Sequence, residues 1–190
     1  MAPNRALYLL DRIGSLLRSE IRKSAAEDGL EPVHLQALLY VTQANALSNN
    51  PLAVGEYLGL TKGNMSQRLI VLESKGFIRK TPDVVDKRRV HLEVTEEGKA
   101  VLAKSYPPRI WPPSGGDLEL ETLLDGLLRQ VVAETGGRMF GQCRTCRFHE
   151  VRGANDRHCG LLQLPLTEDQ AGKLCREHEL RRSREMTHPC

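Results

Sequence analysis

Residues 61–94, TKGNMSQRLIVLESKGFIRKTPDVVDKRRVHLEV, constrain this chain more than any other stretch. They read as a helix, a strand, a charged turn and a second strand. Thr61 suits an N-cap, because its hydroxyl can accept a hydrogen bond from a free amide of the first turn. Met65, Leu69 and Leu72 recur at helical spacing and make one apolar face, with Lys62, Asn64, Gln67 and Arg68 opposite. Gly76 stands where a left-handed C-cap ends a helix. Val90, Leu92 and Val94 alternate with His91 and Glu93, the pattern of a half-buried strand, and residues 77–81 are its expected partner. The intervening PDVVDKRR is too long for a two-residue hairpin.

The charge of this stretch points to a partner. Residues 61–92 hold eight Lys or Arg against three acids, a local charge of +5 in a chain whose total is +3. A positive field gathered on a helix and a hairpin is what phosphate binding requires. The helix is expected to enter the major groove of double-stranded DNA, where Lys, Asn, Gln and Arg match base-edge donors and acceptors. The turn is expected to reach phosphates or the minor groove. The candidate DNA-binding residues are Lys62, Gly63, Asn64, Ser66, Gln67 and Arg68 on the helix, and Lys87, Arg88 and Arg89 in the turn. Gly63 would let the backbone approach closely, at about 1 kcal/mol of helix stability relative to Ala. Asp86 is acidic where DNA is acidic, so its expected task is to shape the tip by pairing with the Arg88 guanidinium.

Leu60-Thr61, the helix end Leu72-Glu73-Ser74-Lys75-Gly76, the turn Asp86-Lys87-Arg88 and the run Leu92-Glu93-Val94-Thr95-Glu96-Glu97-Gly98 together carry a family resemblance. The chain resembles the MarR family of winged-helix transcription regulators over about residues 7–104. The resemblance implies an obligate homodimer, a palindromic operator and usually repression. The expected fold class is mainly α, an α+β winged helix: a three-helix helix-turn-helix core, a two-stranded β wing, flanking dimerisation helices and a small cysteine-rich C-terminal module.

The flanking sequence supplies those helices. Residues 4–27 form an amphipathic pattern with Leu7, Leu10, Ile13, Leu17 and Ile21 in one stripe, widened by Leu9 and Leu16. In the family the first helix contributes to the dimer interface. Glu31-Pro32 opens a second helix, where His34 is expected to be exposed or capped. Residues 52–58 form a short helix that makes the helix-turn-helix pair with the next. Thr95 caps a further helix, which YPPRIWPPSGG stops with its four prolines and two glycines. Here the chain departs from the family, whose helix after the wing runs on. Trp111 in this break is expected to anchor the loop. Residues 117–134 resume as a strongly apolar helix, the other interface candidate.

Composition excludes several classes. Apolar content of 40% and charged content of 27% are those of a soluble chain. No apolar run approaches the ~18 residues of a membrane span. The opening MAPNRALYLLDRIG is broken by Arg5, Asp11 and Arg12, so no signal-peptide core is expected and the cytoplasm is the expected compartment. No nucleophile–base or paired-carboxylate arrangement stands out, so no catalysis is expected.

All five cysteines fall in the last 48 residues, at 143, 146, 159, 175 and 190. In a reducing compartment such clustering favours metal binding over disulfides. Residues 1–136 are therefore read as the winged-helix and dimerisation domain, and 137–190 as a metal-binding module and tail. The CxxC pair Cys143–Cys146 can bite one metal centre, with Cys159 and Cys175 completing four thiolates. His149, His158 and His178 lie nearby in sequence. The spacing matches neither paired zinc knuckles nor ferredoxin runs. It resembles small four-cysteine iron–sulfur modules, so a [4Fe-4S] cluster is expected slightly ahead of Zn2+. Cys190, after Pro189, is not counted as a ligand. The main reading is a DNA-binding regulator whose module senses redox or metal state. A second keeps a purely structural metal and adds a small-molecule effector. A third, an electron-transfer or protein-interaction subunit, fits the basic turn poorly.

Overall fold

The computed structural model describes residues 4–84, 86–108, 110–111, 118–153 and 156–181. Residues 182–190, Cys190 among them, therefore lie outside the described residues. The chain begins with α1 (Arg5–Glu27), α2 (Pro32–Gln43), α3 (Pro51–Leu58) and α4 (Lys62–Ser74). The wing follows as β1 (Ile78–Pro82) and β2 (Val90–Val94), then α5 (Glu96–Ser105) and α6 (Leu118–Thr135). This is the expected winged-helix architecture.

Local chemistry sets the boundaries. Asn4 caps α1 by accepting from Ala6 and Leu7 amides, and Asn50 caps α3 by accepting from Ala53 N at 3.0 Å. Pro51 sits at the first turn of α3, where a missing N–H costs nothing. Thr61 Oγ1 accepts from Asn64 N, and α4 ends at Gly76, whose φ of +74° a side chain would strain. His34 is capped rather than exposed. It is buried, and its Nδ1 accepts from Glu31 N at 3.0 Å in a reciprocal capping box.

One core joins these elements. Leu35, Leu38 and Tyr40 of α2, Val54 of α3, and Met65, Leu69 and Leu72 of α4 are almost fully buried together with Ile78 and Leu92 of the wing and Val101 of α5. Burying each such side chain contributes roughly 1.5–3 kcal/mol. The wing is antiparallel, with Ile78 opposite Val94 and Pro82 opposite Val90. Its outer edge is polar, and Leu92 faces the core. α6 behaves differently, for none of its residues is buried. Trp111 is 39% exposed, and its backbone N–H donates to Pro108 O at 2.8 Å.

Beyond α6 the chain turns back. β3 (Gly141–Gln142) pairs antiparallel with β7 (Leu174–Cys175), and β4 (His149–Val151), β5 (Arg157–Cys159) and β6 (Leu164–Leu166) form a three-stranded meander. The short α7 (Glu168–Gly172) precedes β7. This module packs against the winged helix at residues 44–56. Phe140 wedges edge-on against Tyr40 and Tyr57, with ring centroids 5.9 and 5.3 Å away.

Candidate nucleic-acid interface and cysteine cluster

α4 turns its apolar stripe into the core, which leaves Lys62, Gly63, Asn64, Ser66 and Gln67 exposed. Arg68 is half-buried instead, and its guanidinium binds the carboxylate of Glu31. It braces α4 against the start of α2. The cations on the wing strands are tethered too: Arg79 pairs with Glu93 at 2.6 Å and Lys80 with Glu73 at 2.6 Å. Lys87, Arg88 and Arg89 stand exposed at the tip of the wing. The outward charge is thus concentrated at the tip and at the beginning of α4, as groove and phosphate contacts require.

Asp86 shapes the tip by another route than the guanidinium pair expected for it. Its Oδ1 accepts from the Arg88 backbone N–H at 3.1 Å, and its own N–H donates to Asp83 Oδ1 at 2.7 Å. Asp and Asn side chains readily satisfy amides two or three residues on, which makes these turns self-supporting. His91 fastens the base of the wing, with Nε2 2.8 Å from Asp83 Oδ2 and Nδ1 2.8 Å from Asn49 Oδ1.

The four described cysteines, Cys143, Cys146, Cys159 and Cys175, are reduced and buried, each under 10% exposed. Cys143, Cys159 and Cys175 pack together beside Leu166. The Cys146 sulfur accepts from Glu179 N at 3.4 Å. Burial pushes the Cys143 thiol up to about 12, and the neighbouring Cys175, Cys159 and Cys146 push the same way. Among the described residues, no three His, Cys, Asp or Glu side chains close into a ligand shell for a single ion. Around the thiols lie buried ring nitrogens without hydrogen-bond partners: His149 Nε2, His158 Nδ1 and His178 Nδ1. Burial holds His149 and His178 below the usual imidazole range.

Cys175 is the thiol nearest the winged helix. Burial raises it, while the Asn45 amide, the Glu177 backbone N–H and the Ser48 hydroxyl oppose that rise by facing its sulfur. Next to it, Arg176 forms a two-pronged pair with Glu56 of α3, at 2.5 and 2.7 Å, and this guanidinium holds the Glu56 carboxyl below its usual range. A cavity of about 420 Å³ opens beside the pair, lined by Arg138, Arg147, Arg176, Glu177 and Glu179 among others. Its arginines already bind Glu56, Glu177 and Glu179, so it offers an incoming anion little uncompensated charge. Neither Asn45 nor Ser48 was legible as part of a site, since their partners lie more than a hundred residues away.

No family model matches the chain. A curated relative, the "Uncharacterized HTH-type transcriptional regulator YwaE" of Bacillus subtilis (strain 168), is 31% identical over 86 residues, 41% of this chain and 48% of that protein. The match thus spans about half the length of that relative. Among solved structures, a MarR-family transcriptional regulator from Silicibacter pomeroyi superposes with a TM-score of 0.55 at 22% identity, over 68% of this chain and 88% of that one. CouR from Rhodococcus jostii RHA1, solved with p-coumaroyl-CoA bound, gives 0.53 at 21% identity, over 69% and 92%. The fold is that of MarR-type winged-helix regulators.

Proposed function

We propose that the chain is a dimeric, sequence-specific DNA-binding transcription regulator, acting as a repressor, whose four-cysteine module holds an iron–sulfur cluster. The observation that carries the DNA reading is the exposed polar face of α4 standing beside a wing tip of three consecutive cations, Lys87, Arg88 and Arg89. The partial match to a helix-turn-helix regulator supports it. Dimerisation rests on α6 and on the N-terminal half of α1, whose apolar residues lie open. Leu7, Leu10 and Ile13 of α1 and Leu123, Leu127 and Val131 of α6 are 38–66% exposed. A second copy of the chain is the occupant that the family resemblance implies for that surface. Apolar area of this extent seldom stays open to water.

The cysteine reading rests on four buried, free thiols, three of which pack into one cluster. A single zinc ion draws four sulfurs to ~2.3 Å from one centre. A cluster presents several metal atoms, and the spacing of one CxxC pair with two distant cysteines is what favours it over zinc here. Cys143, Cys146, Cys159 and Cys175 would hold it, and it would supply a redox-sensitive, oxygen-sensitive charge inside the module. A purely structural metal beside a small acyl effector is the second reading, favoured by the p-coumaroyl-CoA in the CouR structure.

The test uses full-length chain purified without oxygen and a duplex selected from a random-sequence pool. Gln67→Ala should cost roughly 1–3 kcal/mol at one base position and relax specificity there, whereas Arg88→Ala should weaken binding more evenly. Equal losses on selected and unrelated DNA for both variants would refute the assignment of helix and wing. Iron and sulfide should be present in wild type and in Cys190→Ser and be lost in Cys146→Ser. Zinc in their place would leave the structural reading standing.

A further inference from the structure

His91 meets a hydrogen-bond acceptor at each of its ring nitrogens. Nε2 faces Asp83 Oδ2 and Nδ1 faces Asn49 Oδ1, both at 2.8 Å. The carboxylate can only accept. The Asn49 amide is fixed the same way round, because its Nδ2 donates to Leu92 O at 3.2 Å. Turning that amide over would set two oxygens against each other. Its backbone is pinned as well, for Asn49 O accepts from Leu92 N at 2.7 Å. A neutral imidazole has one N–H and can serve one of these two acceptors, whereas an imidazolium serves both. Each contact also has the ~2.7–2.9 Å length of a charge-assisted bond. The arrangement is that of a doubly protonated ring.

What the ring joins gives its charge a consequence. Asn49 lies in the loop before α3, next to Asn50, which caps that helix. Asp83 opens the wing turn. Its N–H donates to Arg89 O at 3.0 Å, and its Oδ1 accepts from Asp86 N at 2.7 Å. Asp86 Oδ1 then accepts from the Arg88 amide at 3.1 Å. A line of hydrogen bonds thus runs from Asn49 through His91, Asp83 and Asp86 to the backbone of the cationic tip. In a neutral ring, one nitrogen lone pair faces an oxygen lone pair, and the line is cut there. The neighbouring elements hold other charges, each with a partner. Arg79 and Lys80 of β1 pair with Glu93 and Glu73, Glu56 of α3 with Arg176, and Lys99 of α5 with Glu96. His34 of α2 is held by Glu31 N. Opposite His91 across the wing stands Thr81, which is uncharged. Asp83 supplies the charge that complements the ring.

We infer that His91 is a positioning residue of the wing that works as an imidazolium, so that affinity for DNA falls as pH rises and the ring loses its second proton. This inference rests on the proposed function, since it needs the wing to meet DNA. The sign follows from the bonds. The protonated ring fastens the wing turn to the loop before α3, and the fastening is present in acid and lost in base. Histidine is the side chain whose charge ordinarily changes in this interval. The device acts on the wing alone and leaves the base-facing residues of α4 in place.

The experiment measures affinity for the selected duplex by fluorescence anisotropy on full-length protein purified without oxygen, at one ionic strength. The pH runs from about 6 to about 8.5, across the ordinary imidazole value near 6.5. Wild type should lose at least threefold in affinity over that interval. Asp83→Asn is the informative variant. Its amide keeps an oxygen for Asp86 N and offers an N–H to Nε2, so a neutral ring satisfies both neighbours. Its affinity should change less than half as much as that of wild type, although it retains every other histidine. His91→Phe removes both bonds and should bind more weakly than wild type at the acid end. Nitrogen NMR of the free protein adds a readout that packing alone would not move: the His91 ring and the Arg88 amide should titrate with one midpoint. Should Asp83→Asn not fold, that shared midpoint carries the test. A smaller change in wild type, an equal change in Asp83→Asn, or an Arg88 amide that ignores the ring overturns the inference and leaves the proposed function intact. Absence of affinity for duplex DNA at every pH refutes the proposed function and the inference with it.

Discussion

Phe140→Ala should loosen the cysteine module from the winged helix without unfolding either. The ring stands edge-on to Tyr40 and Tyr57, at interplanar angles of 81° and 80°. Removing a fully buried Phe costs about 3–5 kcal/mol, of which each aromatic pairing accounts for roughly 0.5–1.5. Phe140 is half-buried, so the cost is about 2–3 kcal/mol. Its φ of +24° lies at the edge of the left-handed region, and Ala keeps the Cβ, so backbone strain is the same in both proteins. At 1.4 kcal/mol per tenfold, the module should open about 30–150 times more often. Amide hydrogen exchange reads this directly, because local opening appears as faster exchange confined to one cooperative unit. Amides of β3, β7 and the meander should accelerate by that factor, while those of α4 around Leu69 and Leu72 stay unchanged. Unchanged exchange in the module would refute Phe140 as its anchor. Equal acceleration in α4 would show that the two parts unfold as one unit.

Two more perturbations follow from the structure. Burial holds His34 below its ordinary 6.5, with nearby Arg68 and Lys75 acting the same way against Glu31. A group depressed in the fold gives stability that is complete above pH 6.5 and is lost as pH falls through its folded value. Protonation would also put a hydrogen on the Nδ1 that accepts from Glu31 N. Urea midpoints should therefore fall in acid below pH 6.5 more steeply for wild type than for His34→Gln, and parallel curves would contradict this. In Gly98→Ala, the new Cβ would stand 2.2 Å from Phe77 O and 2.8 Å from Val94 Cγ1, so backbone must move. That costs about 1–3 kcal/mol, or roughly 3–10 °C of Tm for a chain of this size, and an unchanged Tm would refute it.

The winged helix was legible because its determinants are local. Thr61, Gly76 and the stripe Met65–Leu69–Leu72 fix α4 from within sixteen residues, and alternation at Val90–Val94 fixes the strand. What pattern could not supply was pairing across distance. Arg68 shows the outward helical phase that marks a base contact, yet Glu31 captures its guanidinium from 37 residues away. Asp86 bonds backbone amides at the tip and not the Arg88 guanidinium, a pairing the sequence does not advertise. The seat of the cysteine module was illegible for the same reason. Asn45 and Ser48 carry no site pattern of their own, and only the return of Leu174 and Arg176 onto them brings them to the cysteines.

The salt dependence of DNA affinity tests the central claim most directly. Lys62, Lys87, Arg88 and Arg89 are the exposed cations of α4 and the wing tip, and a dimer presents each twice. Each neutralised phosphate contributes about −0.9 to the slope of log Kobs against log salt concentration, so full use of these cations gives about −7 and half use about −4. Anisotropy titrations of the selected duplex between dilute and physiological salt should give a slope in that range, reduced by roughly 2 in Arg88→Ala/Arg89→Ala if half of its four contacts per dimer are in use. A slope near zero would mean that these residues do not meet phosphates, and would contradict DNA binding through this surface.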